Sequence, residues 1–305
     1  MRDKLKNLIN ECIPYIKIGT VANYIPELSK ADPDMLGICM EGCDRKRYAA
    51  GQYKHLFTMQ SVVKPVLLLQ ALLDNGIEAV SSRVGVEATG KPFDAINVSD
   101  QRLDSEHLNP MVNMGAIMMC TLITGNTYQE KFDRILTLTR ELRGNPSIEI
   151  NEAVYRSEKA CGSKNRALAY LLKSQGLLND EVEDVLDCYF RACSIAVTCE
   201  DLAHIGFVLA NRGRRSKDGQ QIFPPEYARY VNAILMTCGM YDGSGEFALR
   251  VGVPAKSGVG GGIMAVVPGK MGIGIYSPAL DRKGNSVAGI QLLERVSREL
   301  ELSIF

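Results

Sequence analysis

The sequence is poor in the residues and patterns on which several large function classes depend. Its 305 residues hold only three histidines, His55, His107 and His204, far apart and in no metal-ligand pattern. A zinc site is therefore not expected, and a Ser-His-Asp triad would have to be assembled from this small supply. No Gly-x-Ser-x-Gly elbow is present. The nine cysteines are scattered, odd in number and without a Cys-x-x-Cys pair. They read as reduced thiols of a cytoplasmic protein rather than as a disulfide framework. No apolar run reaches the roughly 18 residues that cross a bilayer, and the N-terminal segment reads as an amphipathic charged helix rather than a signal peptide. The 35 Lys and Arg balance the 35 Asp and Glu with no basic block, so neither nucleic acid nor a membrane is expected as a partner. What is left, 46% hydrophobic and 23% charged residues, is the composition of an ordinary globular enzyme.

Against that background one pair stands out. Ser61 and Lys64 lie one helical turn apart in residues 58–65 (Thr-Met-Gln-Ser-Val-Val-Lys-Pro), at the head of a long apolar run. Positions three apart on a helix share a face. A buried lysine there can lose its charge and take a proton from the serine, which makes a nucleophile without histidine. Ser-x-x-Lys alone has no weight, since chance supplies about one in a chain this long. Its company does have weight: Lys256-Ser257-Gly258 is the only Lys-Ser/Thr-Gly in the chain. Serine-lysine acylases combine these two motifs, the first opening a helix and the second on a strand along the same cleft. The strand is then expected to offer a cation to a substrate carboxylate. The N–H of Val259, with that of Ser61, is expected to form an oxyanion hole. The glycines at 258 and 260–262 let a ligand approach the backbone.

The texture along the chain predicts an α+β fold. Residues 1–30 read as helical, and residues 36–40 and 47–51 as the two arms of an antiparallel hairpin. From about 61 to 240 the pattern is mostly helical, with helices expected at 65–73 (ended by Asn75-Gly76), 113–122, 128–142 and 198–211. Residues 247–251, 262–267 and 271–276 read as strands, and 286–300 as a closing helix. One antiparallel sheet built from both chain ends (1–60 and 241–305) and flanked by the terminal helices, with a large helical region inserted (61–240), accounts for this order. The active site is expected at their junction.

Placed on that plan, the chain resembles the serine-dependent glutaminases of the β-lactamase-like fold. The likeness runs from about Val21 to near the C-terminus. It is carried by residues 24–28 (Tyr-Ile-Pro-Glu-Leu), 60–65, 109–117 (Asn-Pro-Met-Val-Asn-Met-Gly-Ala-Ile), 157–165, 189–195 (Tyr-Phe-Arg-Ala-Cys-Ser-Ile), 197–200, 238–242 (Cys-Gly-Met-Tyr-Asp) and 254–259 (Pro-Ala-Lys-Ser-Gly-Val). The resemblance implies hydrolysis of L-glutamine to L-glutamate and ammonia, with Ser61 as nucleophile and Lys64 as its base. It implies a substrate pocket lined by Tyr24, Gln60, Asn113, Glu158, Asn165, Tyr189, Tyr241 and the backbone of Val259. It also implies a homodimer or homotetramer with no metal and no organic cofactor.

Local sequence reads several of these positions more plainly. Glu158, between Ser157 and Lys159, has the look of a solvated charge, Asn113 of a helix cap, and Tyr24, Tyr189 and Tyr241 of half-buried core tyrosines. With the substrate in view, Glu158 can pair with the α-ammonium, Asn113 and Asn165 can donate to the carboxylate or amide, and Tyr241 is assigned proton transfer to the leaving ammonia. A third acylase motif has two literal matches, Ser163-Lys-Asn165 and Tyr230-Val-Asn232; the second sits in an amphipathic run and is taken as structural. Residues 260–265 also satisfy Gly-x-Gly-x-x-Ala with Asp281 about 20 residues on. The β-like run that follows leaves no room for the helix such a motif must open. Two other readings stay open: a penicillin-recognising serine acylase or peptidase, and a non-catalytic module that holds the amino acid without turnover.

Overall fold

The computed structural model describes residues 1–90, 94, 108–215 and 218–305. Helix α1 (Arg2–Ile16) buries Leu5, Leu8, Ile9, Cys12 and Ile16, spaced three or four apart, so one stripe faces the protein and the rest faces water. The helix expected through residue 30 stops there. Strand β1 (Thr20–Val21) and a single 3₁₀ turn (Leu28–Lys30) follow. Gly19 runs so close to Ala279 that a Cβ would lie 2.7 Å from its carbonyl carbon, a contact a continuing helix could not make.

Strands β2 (Gly37–Gly42) and β3 (Arg47–Gly51) form the expected hairpin, with Ile38 opposite Ala50 and Met40 opposite Tyr48. Strand β4 (Phe57–Thr58) leads through a 3₁₀ turn (Gln60–Val63) into α2 (Lys64–Ser81). Within this span Gly76, at φ 79° and ψ 172°, breaks the helix where Asn75-Gly76 is expected to end it, and a second helical stretch follows at once. Helices α3 (Asn113–Leu122), α4 (Tyr128–Arg143), α5 (Glu152–Cys161), α6 (Ser163–Ser174) and α7 (Val182–Cys193) come next. Strand β5 (Ala196–Val197) pairs with β4, and α8 (Cys199–Ala210) opens on a capping box between Thr198 and Asp201. Helix α9 (Pro225–Cys238) completes the helical region.

Residues 247–251, expected as a strand, are mostly helix: α10 spans Ser244–Arg250. Their apolar character misleads because only Phe247 and Val251, four apart, are buried, while Leu249 between them is 91% exposed. Arg250 reaches back one turn to Glu246 and across to Glu294. Strands β6 (Ala255–Ser257), β7 (Gly262–Val267), β8 (Met271–Tyr276) and β9 (Ala279–Leu280) and helix α11 (Val287–Leu300) end the chain.

The main sheet runs β3-β2-β8-β7-β6, antiparallel throughout, so strands from the two chain ends meet at β2 and β8. Strand alternation divides its side chains between two layers. Ile38, Met40, Ile263, Ala265, Ile273 and Ile275 pack against α1 and α11. Cys39, Met264, Val266 and Tyr276 face the helical region. On that second face β8 carries Gly272 and Gly274. A Cβ at Gly272 would stand 2.0 Å from the Phe207 nitrogen, and one at Gly274 2.1 Å from the Cys199 oxygen. Helix α8 therefore lies directly on the backbone of the sheet. The result is the expected α+β architecture.

Candidate active site

The turn at Gln60–Val63 presents Ser61 at the head of α2. Strand β4 fixes its entry by pairing with β5, and the Met59 N–H donates to the Ile195 oxygen at 2.8 Å. Gln60 adopts a left-handed φ of 48°, rare for a residue with a side chain and costly unless its surroundings impose it. Ser61 is buried, and Lys64, the first residue of α2, is fully buried. The Lys64 Nζ donates to Asn113 Oδ1 at 2.7 Å and to the Met111 oxygen at 3.2 Å. Burial pulls this amine from its usual 10.5 down to about 8.

Asn113 is not the cap of α3; Val112 holds that position, and Asn113, the first helical residue, turns its side chain inward. Its Oδ1 accepts from Lys64 and, at 3.4 Å, from the Tyr189 hydroxyl, while its Nδ2 donates to Asn165 Oδ1 at 2.9 Å. The lysine, two asparagines and the tyrosine thus form one network from α2, α3, α6 and α7.

From the opposite side comes β6. Gly258 passes so near the serine turn that a Cβ would lie 2.7 Å from the Met59 oxygen and 3.0 Å from Val62 Cγ2. The closeness is possible only for glycine, and the next residue, Val259, shares the cavity lining with Ser61. Tyr241 sits where α9 returns toward β6, in a 3₁₀ turn at a left-handed φ of 54°. Burial pushes its phenol up, against the pull of its hydrogen bond with Ser61.

These elements enclose a cavity of about 480 Å³ lined by Tyr24, Gln60, Ser61, Asn113, Glu158, Asn165, Tyr189 and Val259, among others. Lys64 and Tyr241 are not in the lining; they stand behind Asn113 and Ser61. Tyr24 is 54% exposed, at the rim. Glu158 is buried on α5, not the solvated charge its neighbours suggest; Lys159 beside it is the residue that reaches an outer partner, Asp187. Burial raises the Glu158 carboxyl from 4.5 to about 7, opposed by a hydrogen bond with Gln60.

Lys256 departs from expectation. It is fully buried and outside the cavity lining, and its Nζ donates to the backbone oxygens of Gly239 at 3.0 Å and Ser257 at 2.6 Å. It therefore offers no cation to a bound carboxylate. Sequence reasoning also missed Asp94, Lys164 and Cys193 in the cavity wall. Asp94 and Lys164 form an ion pair there. Only Lys164 had a local signal, through Ser163-Lys-Asn165, whose Asn165 is in the network above. Tyr230 and Asn232 lie on α9, outside this lining. Ile263 to Val267 belong to β7, which ends in a turn and opens no helix, so the dinucleotide motif has no βαβ unit.

Among the described residues no group of His, Cys, Asp and Glu is arranged to hold a metal ion, and no helix is long and apolar enough to cross a membrane. His204 Nδ1 lies 2.8 Å from Glu41 in the core, and half-buried His55 stacks on Tyr276, neither lining this cavity; His107 lies outside the described residues. All nine cysteines are free.

The sequence and the fold match known proteins over nearly the whole chain. A family model described as Glutaminase matches residues 19–305. A glutaminase of Clostridium tetani is 51% identical over 305 residues, covering 100% of both chains. A glutaminase of Clostridioides difficile is 50% identical over 301 residues, 99% of this chain and 97% of the relative. The structure of a probable glutaminase from Bacillus subtilis complexed with 6-diazo-5-oxo-L-norleucine matches with a TM-score of 0.91 at 40% identity, covering 100% of this chain and 97% of the other. A structure of the Bacillus subtilis enzyme in covalent complex with 5-oxo-L-norleucine, formed by reaction with the same reagent, matches with a TM-score of 0.91 at 39% identity, covering 100% and 99%.

Proposed function

The chain belongs to the glutaminase family, and on that premise we propose that it hydrolyses the side-chain amide of L-glutamine through an acyl-enzyme on Ser61. The Ser61 oxygen bonds to the amide carbon as Lys64 Nζ takes the hydroxyl proton. The Ser61 and Val259 N–H groups stabilise the resulting oxyanion. The carbon–nitrogen bond then breaks as the Tyr241 hydroxyl protonates the departing ammonia, and Tyr241 recovers a proton from Lys64. Water enters, gives a proton back along the same route, and releases L-glutamate from the serine ester.

The observation that carries this reading is the condition of Lys64. Fully buried, and with an amine brought down to about 8, it is in large part neutral at mildly alkaline pH and fit to act as a base. A nucleophilic route is further supported by the covalent complex of the Bacillus relative. Substrate recognition follows from the remaining groups: the Glu158 carboxylate pairs with the α-ammonium, and the Asn165 amide donates to the substrate. The cavity of about 480 Å³ takes one small amino acid with some water.

Ammonia release from L-glutamine tests the proposal. Ser61→Ala is expected to keep the fold and lose turnover by about 10⁶, as loss of a nucleophile does elsewhere. Appreciable turnover by a folded Ser61→Ala protein would refute the acyl-enzyme route.

A further inference from the structure

Lys256 has no part in the mechanism above, yet it is a fully buried lysine in β6, the strand that leads to Val259 of the cavity lining. Burying an amine is expensive unless its hydrogens are used. Two of them go to backbone oxygens. One, the Gly239 carbonyl at 3.0 Å, also accepts from the Ser257 N–H at 3.1 Å. Gly239 lies two residues before Tyr241, at the end of α9, and it meets β6 so tightly that a Cβ there would stand 1.7 Å from the Ala255 oxygen. The Lys256 Nζ also lies 4.2 Å from the centroid of the Tyr241 ring, over its electron-rich face. Tyr241 itself is held at a left-handed φ of 54°, which its own turn does not favour.

We propose that Lys256 is a positioning residue for Tyr241: it ties the α9 end to β6 and sets its amine against the ring, keeping the phenol oxygen on Ser61. Lys256 binds no substrate. A ring held in place sets the geometry of the proton transfer, so the effect of Lys256 belongs to the chemical step. The inference rests on the assignment of proton transfer to Tyr241.

The test is a double-mutant cycle with Lys256→Met and Tyr241→Phe, reading kcat and KM for L-glutamine by ammonia release, with calorimetric binding of L-glutamate. Lys256→Met is expected to lower kcat about 10- to 100-fold, part of what an acid–base group contributes. KM and the glutamate Kd are expected to stay within about twofold of the wild type, the pattern of a lost transition-state interaction. Added to Tyr241→Phe, Lys256→Met is expected to cost little more. A rise in KM and glutamate Kd with kcat preserved, or losses that multiply in the double variant, would overturn the proposal. Full activity in Tyr241→Phe alone would instead remove the assignment of Tyr241. Lys256→Gln, which still donates hydrogen bonds, replaces Lys256→Met if the latter does not fold. Failure of both to fold would reduce Lys256 to a framework residue and overturn the proposal equally.

Discussion

Glu158→Gln is expected to make the empty protein more stable and the enzyme inactive at once. In the empty cavity the Glu158 carboxyl titrates at about 7 because burial disfavours its charge. In the unfolded chain it titrates near 4.5, the ordinary value. Between these two pH values the folded state holds a proton that the unfolded state has lost, so stability falls as pH rises. The rise from 4.5 to about 7 amounts to a penalty of about 3 kcal/mol, fully present above the folded value and absent below the unfolded one. Glutamine at this position carries no such penalty and keeps an oxygen to accept from Gln60. With an unfolding entropy of about 2 cal/mol/K per residue, the gain at pH 8 corresponds to about 5 °C in Tm. Thermal unfolding of both proteins at pH 4 and pH 8, without ligand, reads it directly. The expected result is coincident curves at pH 4 and a more stable variant at pH 8. L-Glutamate should raise the Tm of the wild type at pH 8 and leave the variant unmoved, since the variant has lost the partner of the α-ammonium. An equal shift at both pH values, or a variant less stable at pH 8, would refute the account of Glu158 as a strained carboxyl kept for substrate.

The same groups set the pH profile. Lys64 at about 8 must be neutral and Glu158 at about 7 ionised, so kcat/KM should climb through both values and reach its plateau on the alkaline side; a profile flat from pH 6 to 9 would contradict it. Gly258→Ala should push β6 off the serine turn, since its Cβ would lie 2.7 Å from the Met59 oxygen. The misplaced Val259 donor should then cost about 10²–10³ in kcat, as removal of one oxyanion donor does elsewhere, with the fold retained by circular dichroism. Gly272→Ala should act on stability rather than chemistry. A Cβ 2.0 Å from the Phe207 nitrogen lifts α8 from the sheet, a strain of about 1–3 kcal/mol or more, visible as a lowered Tm.

What the sequence makes legible, and what it hides, follows from the range of each signal. Ser61 and Lys64 are readable because helical spacing and the following apolar run are local facts. The strand identity of Lys256-Ser257-Gly258 is readable for the same reason, but its depth is not. Lys256 is turned beneath Tyr241 by a glycine contact between α9 and β6 that no periodicity encodes. Glu158 shows the converse error: its neighbours are polar, and its burial comes from the cavity wall around it, so only the family resemblance pointed to it. Residues 247–251 have the apolar content of a strand, yet just two of them, one helical turn apart, find a core. The Asp94–Lys164 pair joins residues 70 positions apart, and although Ser163-Lys-Asn165 marks the segment of Lys164, nothing in it points to Asp94.

The bare backbone of β8 beneath α8 has a mechanical consequence. In many enzymes that bind between a sheet and a set of helices, the two halves swing apart on a hinge to admit the substrate. Here Gly272 and Gly274 let a helix of the upper half sit on the strand itself, with no side chain between them to roll or slide. Helix α8 and strand β8 are keyed together, and parting the helical region from the sheet here would mean peeling α8 from the strand. A substrate that enters without parting these two elements meets Tyr24 and the Asp94–Lys164 pair of the cavity wall. Binding energy is then not consumed in drawing α8 and β8 together, because they already touch backbone to backbone.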